Sequence, residues 1–161
     1  MASPRSKSKG RSTAPRTRAQ QRAGTREIIR QAAFELFSTE GFDETTTQQV
    51  AKRAGVAAGT VFVHAKDKVD LLSLVMHDLL DEVVAERFAS IPEGALIDRF
   101  AHVFHGVFAM YGKHPKLGLA FVRTLPGARG PNADRVNTLT FGFLHRLGLL
   151  VIDAQAKGEI A

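Results

Sequence analysis

Residues 46–64, TTQQVAKRAGVAAGTVFVH, limit what this chain can fold into more than any other stretch. Thr46 is a good N-cap, and Gln49 three residues later completes a capping box. Val50, Ala51 and Ala54 place small or apolar groups on one side of a short helix. Gly55 falls where that helix must end, and glycine takes the left-handed conformation of a helix C-terminus without a Cβ penalty. Val56 follows as an apolar plug. A second short helix is expected from about Ala57 to His64, with Val61 turned back toward Val50 and Val56. The small Ala51 lets the two helices cross closely. This order of small residue, glycine, plug and anchor predicts a helix-turn-helix, the motif whose second helix enters the major groove of DNA. An ordinary pair of core helices joined by a glycine turn would share part of the pattern.

Charge sharpens the choice. Residues 1–26 hold eight of the 22 Lys and Arg and none of the 16 acidic residues, so the net charge of +6 resides in the N-terminal tail. Such a tail reads as disordered and attracted to polyanions. It has no apolar face for a membrane surface. There is no cysteine, which excludes disulfides, thiolate metal sites and thiol nucleophiles and fits a reducing cytoplasm. No apolar run approaches the ~20 residues that span a bilayer, and the basic start lacks the apolar core of a signal peptide, so no export is expected. The 44% hydrophobic content suffices for a buried core.

No secondary structure is expected for residues 1–23. Arg16, Arg18 and Arg22 lie closest to the folded part. As a flexible arm they would reach a minor groove beside the helix-turn-helix; as a solubilising tail they would supply only non-specific phosphate affinity. A first helix is expected from Thr25 to about Thr39, with Ile28, Ile29, Ala32, Ala33, Leu36 and Phe37 in one apolar stripe. Gly41 would end it, and Phe42 would fold back on Leu36 or Phe37. Asp67 should cap a fourth helix that is apolar over a wide arc. Lys68 in its first turn opposes the helix dipole, which calls for a negative partner: DNA phosphate is the candidate, a solvated lysine the alternative. Further helices are expected over about 95–112, 116–124 and 132–157, separated by Pro-containing breaks, with no strand anywhere. The fold class is therefore all-α: a helix-turn-helix unit followed by a helical remainder.

Residues 25–75 resemble the N-terminal domain of the tetracycline-repressor family (TetR/AcrR-like) of bacterial transcriptional regulators. The opening TRE, the apolar helix, GF, the threonine run, VAKRAGV, GT and the late lysine before a leucine-rich helix match in order. The resemblance implies residues 25–70 as the DNA-binding domain behind a disordered arm (1–24), and 71–161 as an effector-binding and regulatory domain. It implies a homodimeric repressor that binds double-stranded operator DNA and is released by a small molecule. By this likeness Thr46 and Thr47 start the supporting helix near the DNA backbone. Ala58, Gly59, Thr60, Phe62, Val63 and His64 belong to the recognition helix, and Lys68 is the phosphate-contacting lysine. Family members usually continue with two more helices that form the dimer interface, whereas this chain stops at GEIA.

Several positions depart from the family pattern. Ala57 stands where a capping serine is usual, Ala58 where a basic residue is frequent, and Phe62 where a tyrosine would offer a hydroxyl. Ala65 and Lys66 replace an aromatic–proline pair. The recognition face is thus poor in hydrogen-bonding groups. Val63, Ala58 and the Thr60 methyl suit thymine methyl contacts, and phosphate contacts should supply much of the affinity.

Other chemistry is thin. Asp98, His102 and His105 have helical metal-face spacing but point away from the apolar stripe of their helix, as a solvated face would, and no metal or other cofactor is expected. No hydrolase, metalloprotease or nucleotide-binding motif is present, so no enzyme is expected. Phe100, Phe104, Phe108, Phe121 and Phe143, with Phe141, are candidates to line an effector pocket, although core packing is the commoner use of such rings. The competing functional reading is a non-specific DNA binder driven by the arm, without effector response; a small metal- or lipid-binding helical protein is a third.

Overall fold

The computed structural model describes residues 17–161, which form seven α-helices, one 3-10 turn and no strand. Helix α1 spans Arg18–Thr39, α2 Thr47–Ala54, α3 Ala58–His64 and α4 Lys68–Ala89. They are followed by α5 Leu96–Lys113, α6 Pro115–Thr124, a 3-10 turn Leu125–Gly127 and α7 Pro131–Ala156.

The first helix starts earlier than its apolar stripe predicts. Thr17 caps it: its side chain accepts from the Gln20 N–H, and the Gln20 side chain accepts from the Thr17 N–H, a complete capping box. Residues 18–23 are therefore helical. Arg18 and Arg22 ride on a rigid helix and do not belong to a flexible arm, while Arg16 lies outside the described residues. Thr25 is not a cap; its hydroxyl donates to the Gln21 carbonyl within the helix. At the other end Gly41, at φ 106°, closes onto the Leu36 carbonyl, and Phe42 packs on Phe37 with ring centroids 5.4 Å apart.

Helix α4 is the axis of the molecule. Asp70 through Met76 are all buried, so the helix is covered on every side for two turns. It packs against α1, α5, α6 and α7. Its cap is Asp67, whose carboxylate accepts from the Asp70 N–H at 2.8 Å. One continuous core runs from Ile29, Phe37, Val50 and Val61 around the helix-turn-helix, through Leu71, Leu72, Val75 and Met76, to Leu117, Phe121 and Val136. The helix-turn-helix and the remaining helices thus share buried contacts through α4.

Candidate nucleic-acid interface and apolar cavity

The turn between α2 and α3 follows from local chemistry. The Thr46 hydroxyl accepts from the Gln49 N–H at 3.2 Å, and the Gln49 amide oxygen accepts from the Thr46 N–H at 2.6 Å. Gly55 sits at φ 68°, ψ 31°, and the Gly55 and Val56 N–H groups close onto the Lys52 and Ala51 carbonyls. Val50, Ala51 and Val61 are buried between the two helices and α1. Burying each valine contributes about 1.5–3 kcal/mol. Helix α3 begins at Ala58, and Ala57 offers no side-chain cap. Its pose therefore depends on packing more than on its own ends.

With Val61 inward, the opposite face of α3 is bare. Ala58 and Gly59 are exposed, Phe62 is 53% and Val63 60% exposed, and Thr60 and His64 are half-buried. A large exposed apolar pair on a seven-residue helix has no partner within the fold. Thr46 is exposed and Thr47 half-buried at the start of α2. Lys68 has negative neighbours within the fold. Its ammonium donates to the Phe42 and Asp43 carbonyls at 3.0 and 3.3 Å and lies 4.5 Å from the Phe42 ring centroid. It ties α4 to the α1–α2 link, and one of its three N–H donors remains for an outside partner.

Beside the recognition helix lies a hollow of about 400 Å³, lined by Ala19, Arg22, Ala23 and Arg26 of α1, Val63 and His64 of α3, and Pro131, Asn132 and Arg135 of α7. The Arg22 side chain has no hydrogen bond or ion pair among the described residues. Arg26 reaches Asp78 at 3.9 Å, and its other terminal nitrogen is buried without a partner. Arg135 meets Asp78 at 3.9 Å and His77 at 3.4 Å. Asp78 also takes Arg30 at 3.4 Å, so one carboxylate faces three guanidinium groups. The excess is positive, and it is felt: burial, then the charges of Arg22 and Arg26, hold the His64 imidazole below its usual pKa. Arg26 and Arg135 carry no sequence signal for this role, because only the fold, which sets the first turns of α7 beside α1 and α3 around the hollow, brings them together.

The effector-pocket residues divide. A second cavity, of about 140 Å³, is lined by Leu80 and Val84 of α4, Val107 and Tyr111 of α5, Phe121 of α6, Leu125, and Val136, Leu139, Thr140 and Phe143 of α7. Phe121 and Phe143 of the candidate residues line it. Phe100, Phe104 and Phe108 do not. Phe100 and Phe104 share the side of α5 that carries Val107 and Tyr111 but lie one to two turns earlier, beyond the cavity. There Phe104 packs edge-on against Phe143 with centroids 5.8 Å apart. Phe108 is turned about 100° from Val107 and is 66% exposed, and Phe141 is 72% exposed. Burial raises the pKa of the cavity's Tyr111, which keeps its phenol neutral. The Thr140 hydroxyl is occupied by the Val136 carbonyl.

Among the described residues no group of three or more His, Asp or Glu side chains is placed to hold a metal. His102 instead meets the Ser90 hydroxyl at 3.2 Å. No described helix is long and apolar enough to cross a membrane.

A capped supporting helix, a left-handed glycine turn and a recognition helix with a bare outer face define a helix-turn-helix DNA-binding protein. Residues 29–75 match the family described as bacterial regulatory proteins, tetR family. The chain is 25% identical over 130 residues to the fatty acid metabolism regulator protein of Bacillus subtilis, covering 80% of this chain and 67% of the relative. It is 31% identical over 80 residues to the transcriptional regulator BetI of Klebsiella pneumoniae, covering 48% of this chain but only 41% of BetI. The fold also matches the crystal structure of the regulator FadR from Bacillus subtilis in complex with stearoyl-CoA, with TM-score 0.66 and 22% identity over 84% of this chain and 73% of that one. The helix-turn-helix unit thus belongs with the tetR family of bacterial regulatory proteins, and residues 29–75 are the part of the chain that carries the match.

Proposed function

We propose that the chain binds an operator as a homodimer, represses transcription there, and is released by an apolar small molecule. The observation that carries the DNA-binding part is the bare face of α3 next to a hollow whose arginines outnumber the one carboxylate they face. Ala58, Gly59, Phe62 and Val63 are exposed, and Val63 and His64 border Arg22, Arg26 and Arg135. A helix in a major groove about 12 Å wide has a phosphate strand on either side. Cations flanking the recognition helix are therefore placed for phosphate, and the apolar tips for thymine methyl groups. Thr46, Thr47 and the remaining donor of Lys68 extend the backbone contacts on the side of α2, and Thr60 reads from the first turn of α3.

The similarity to a fatty acid metabolism regulator and to a structure holding stearoyl-CoA supports a long-chain acyl compound as the effector. The cavity chemistry agrees, since its lining is apolar apart from Tyr111 and Thr140. At about 140 Å³ it is close in size to an engineered cavity that binds benzene. A long chain would enter only as α4, α5 and α7 part. Such an effector favours a spread conformation, and differential affinity of this kind is what a population shift requires. Exposed apolar side chains on α5 and α7, among them Ile97, Phe108, Phe141 and Ile152, support a second copy as partner. Acting on chromosomal DNA, the protein would work in the cytoplasm.

The test is a titration of the protein onto labelled DNA from its own upstream region and onto a scrambled duplex, at two salt concentrations. A preference of ~10³ or more is expected of an operator reader. Equal affinity for both duplexes, falling steeply with salt, would mean that the basic residues bind without reading sequence, and the operator reading would fall.

A further inference from the structure

Asp70, in the first turn of α4, is fully buried, yet its carboxylate makes no ion pair. It accepts four hydrogen bonds, three from the distant first turn of α7 and one from the link just before its own helix. One oxygen takes the backbone N–H groups of Asn132 and Ala133, at 2.9 and 3.0 Å, in the first turn of α7. The other takes the Asn132 side-chain amide at 3.0 Å and the Lys66 N–H at 2.9 Å, in the link just after the recognition helix. The same Asn132 amide also donates to the carbonyl of His64, the last residue of α3, at 2.8 Å. Asn132 is itself buried.

The joint is built to close tolerance. Gly130, at φ 136°, is the residue from which α7 starts, and a Cβ there would stand 2.6 Å from the Asp70 carboxylate. A chain needing only a loose α4–α7 contact has no use for such a fit. What the joint fastens is the tail of α3, the end opposite the uncapped Ala57. α7, on the other side of the joint, supplies four walls of the apolar cavity, from Val136, one turn beyond Asn132, to Phe143.

In a chain read as an effector-responsive DNA-binding regulator, we infer that Asp70 and Asn132 are positioning residues for DNA recognition: they fasten the tail of the recognition helix to the first turn of the cavity-wall helix, so that α3 moves with α7. The role rests on that reading. The lever is short. Asn132 and Phe143 lie eleven residues apart on one helix, about 16 Å at 1.5 Å per residue. A rigid helix of that length passes a tilt at the cavity directly to its buried end. The His64 carbonyl then follows through a single side-chain amide.

Hydrogen exchange of the amides of residues 58–66 tests this in four full-length chains: the parent, Thr140→Trp, Asn132→Ala and the double variant. Thr140 lines the cavity while exposed to solvent, so the bulky ring takes the place of an occupant. Asn132→Ala removes the amide bridge but keeps both backbone bonds to Asp70. In the parent background Thr140→Trp should change exchange at 58–66 by about threefold or more, as expected for directly coupled sites. In the Asn132→Ala background the response should fall to less than half. The amides of α2 serve as the reference, because a merely structural loss would raise them together with those of α3 and leave the two responses equal. Equal responses in both backgrounds, or none in either, would overturn the inference. Should Asn132→Ala fail to fold, Asn132→Ser carries the same test. None of these measurements needs DNA or an effector. A coupled response in a protein that shows no operator preference would therefore sink the regulator reading while leaving the joint in place.

Discussion

Arg22 is the cleanest place to test the arginine hollow. It lines the hollow beside Val63 and His64, it is exposed, and its side chain has no partner among the described residues. Its replacement by Gln therefore leaves no carboxylate unpaired and should change folding stability by no more than about 0.5 kcal/mol, the usual limit for such surface sites. Its effect on DNA binding should be larger and should depend on salt. Each phosphate neutralised adds about −0.9 to the slope of log K against log salt. Removing one contact flattens the line by that amount. Between ~50 and ~200 mM salt the parent would then lose about 3.5-fold more affinity than the Arg22→Gln variant. Arg135→Gln should flatten the line as well, although it also releases Asp78 from one of its three guanidinium neighbours. Arg146→Gln is the control, because that side chain stacks 4.1 Å from the Phe88 ring in the far half of α7.

Fluorescence anisotropy with the upstream duplex at four salt concentrations gives the slopes. If the Arg22→Gln and Arg135→Gln lines run parallel to those of the parent and of Arg146→Gln, the hollow does not meet phosphate. The shared geometry of α1, α3 and α7 would then have no part in DNA binding.

Two of the positive-φ glycines, Gly55 at the end of α2 and Gly130 at the start of α7, should differ in cost. Gly55→Ala meets open space and should lose about 1 kcal/mol to backbone strain alone, whereas Gly130→Ala drives a methyl into Asp70 and should lose about 3 kcal/mol or more in a denaturant melt. Similar losses would mean that the Asp70 joint yields easily. His64 should give DNA binding a pH dependence. Its depressed pKa leaves it neutral in the free protein at neutral pH, and a phosphate neighbour would favour the charged form. Operator binding should then take up a proton and tighten as pH falls from about 7.5 to about 5.5. In the free protein the sign reverses, because unfolded His64 protonates first and stability declines below about pH 6.5. A His64→Gln variant with an unchanged affinity–pH profile would refute the first expectation. Lys68→Met should cost about 1 kcal/mol through the orphaned Phe42 and Asp43 carbonyls. It should also weaken DNA binding, and a variant equally stable to urea would show that the carbonyl bonds are replaced by water.

The parts of this molecule that were legible in its sequence are those decided within about ten residues. Thr46 and Gln49, Gly55, Val61 and Asp67 each act on a neighbour three to six positions away, and each stands in the structure where its chemistry puts it. The start of α1 is legible in the same way, from its cap and not from its periodicity. Thr17 and Gln20 spell the same capping box as Thr46 and Gln49, but they lie in an arginine-rich stretch without an apolar stripe, so periodicity alone starts the helix too late. The cavity was half legible. Periodicity placed Phe100, Phe104, Val107 and Tyr111 on one side of α5, yet nothing in a helix period says which turns of that side meet α7.

The joint between Asp70 and Asn132 was not legible at all, and the reason is physical. The residues are 62 positions apart, and neither breaks a local rule. Asp70 reads as an acidic residue in the first turn of a helix, where the dipole welcomes it, and Asn132 as a polar residue beside Pro131 at a helix start. Only burial separates them from dozens of ordinary surface residues, and burial is a property of the packed whole. The same holds for Arg135, which belongs to a cavity-wall helix by sequence and to the recognition-helix hollow by contact. One helix thus takes part in the core, in the cavity and in the flank of the DNA-reading face. An effector that tilts α7 would shift Arg135 and the His64 carbonyl in one motion. Phosphate contacts and helix pose should therefore be lost together, and the salt slope measured with effector present should flatten toward that of the Arg135→Gln variant. An effector that weakens binding while leaving the slope unchanged would show that α7 carries no part of the signal.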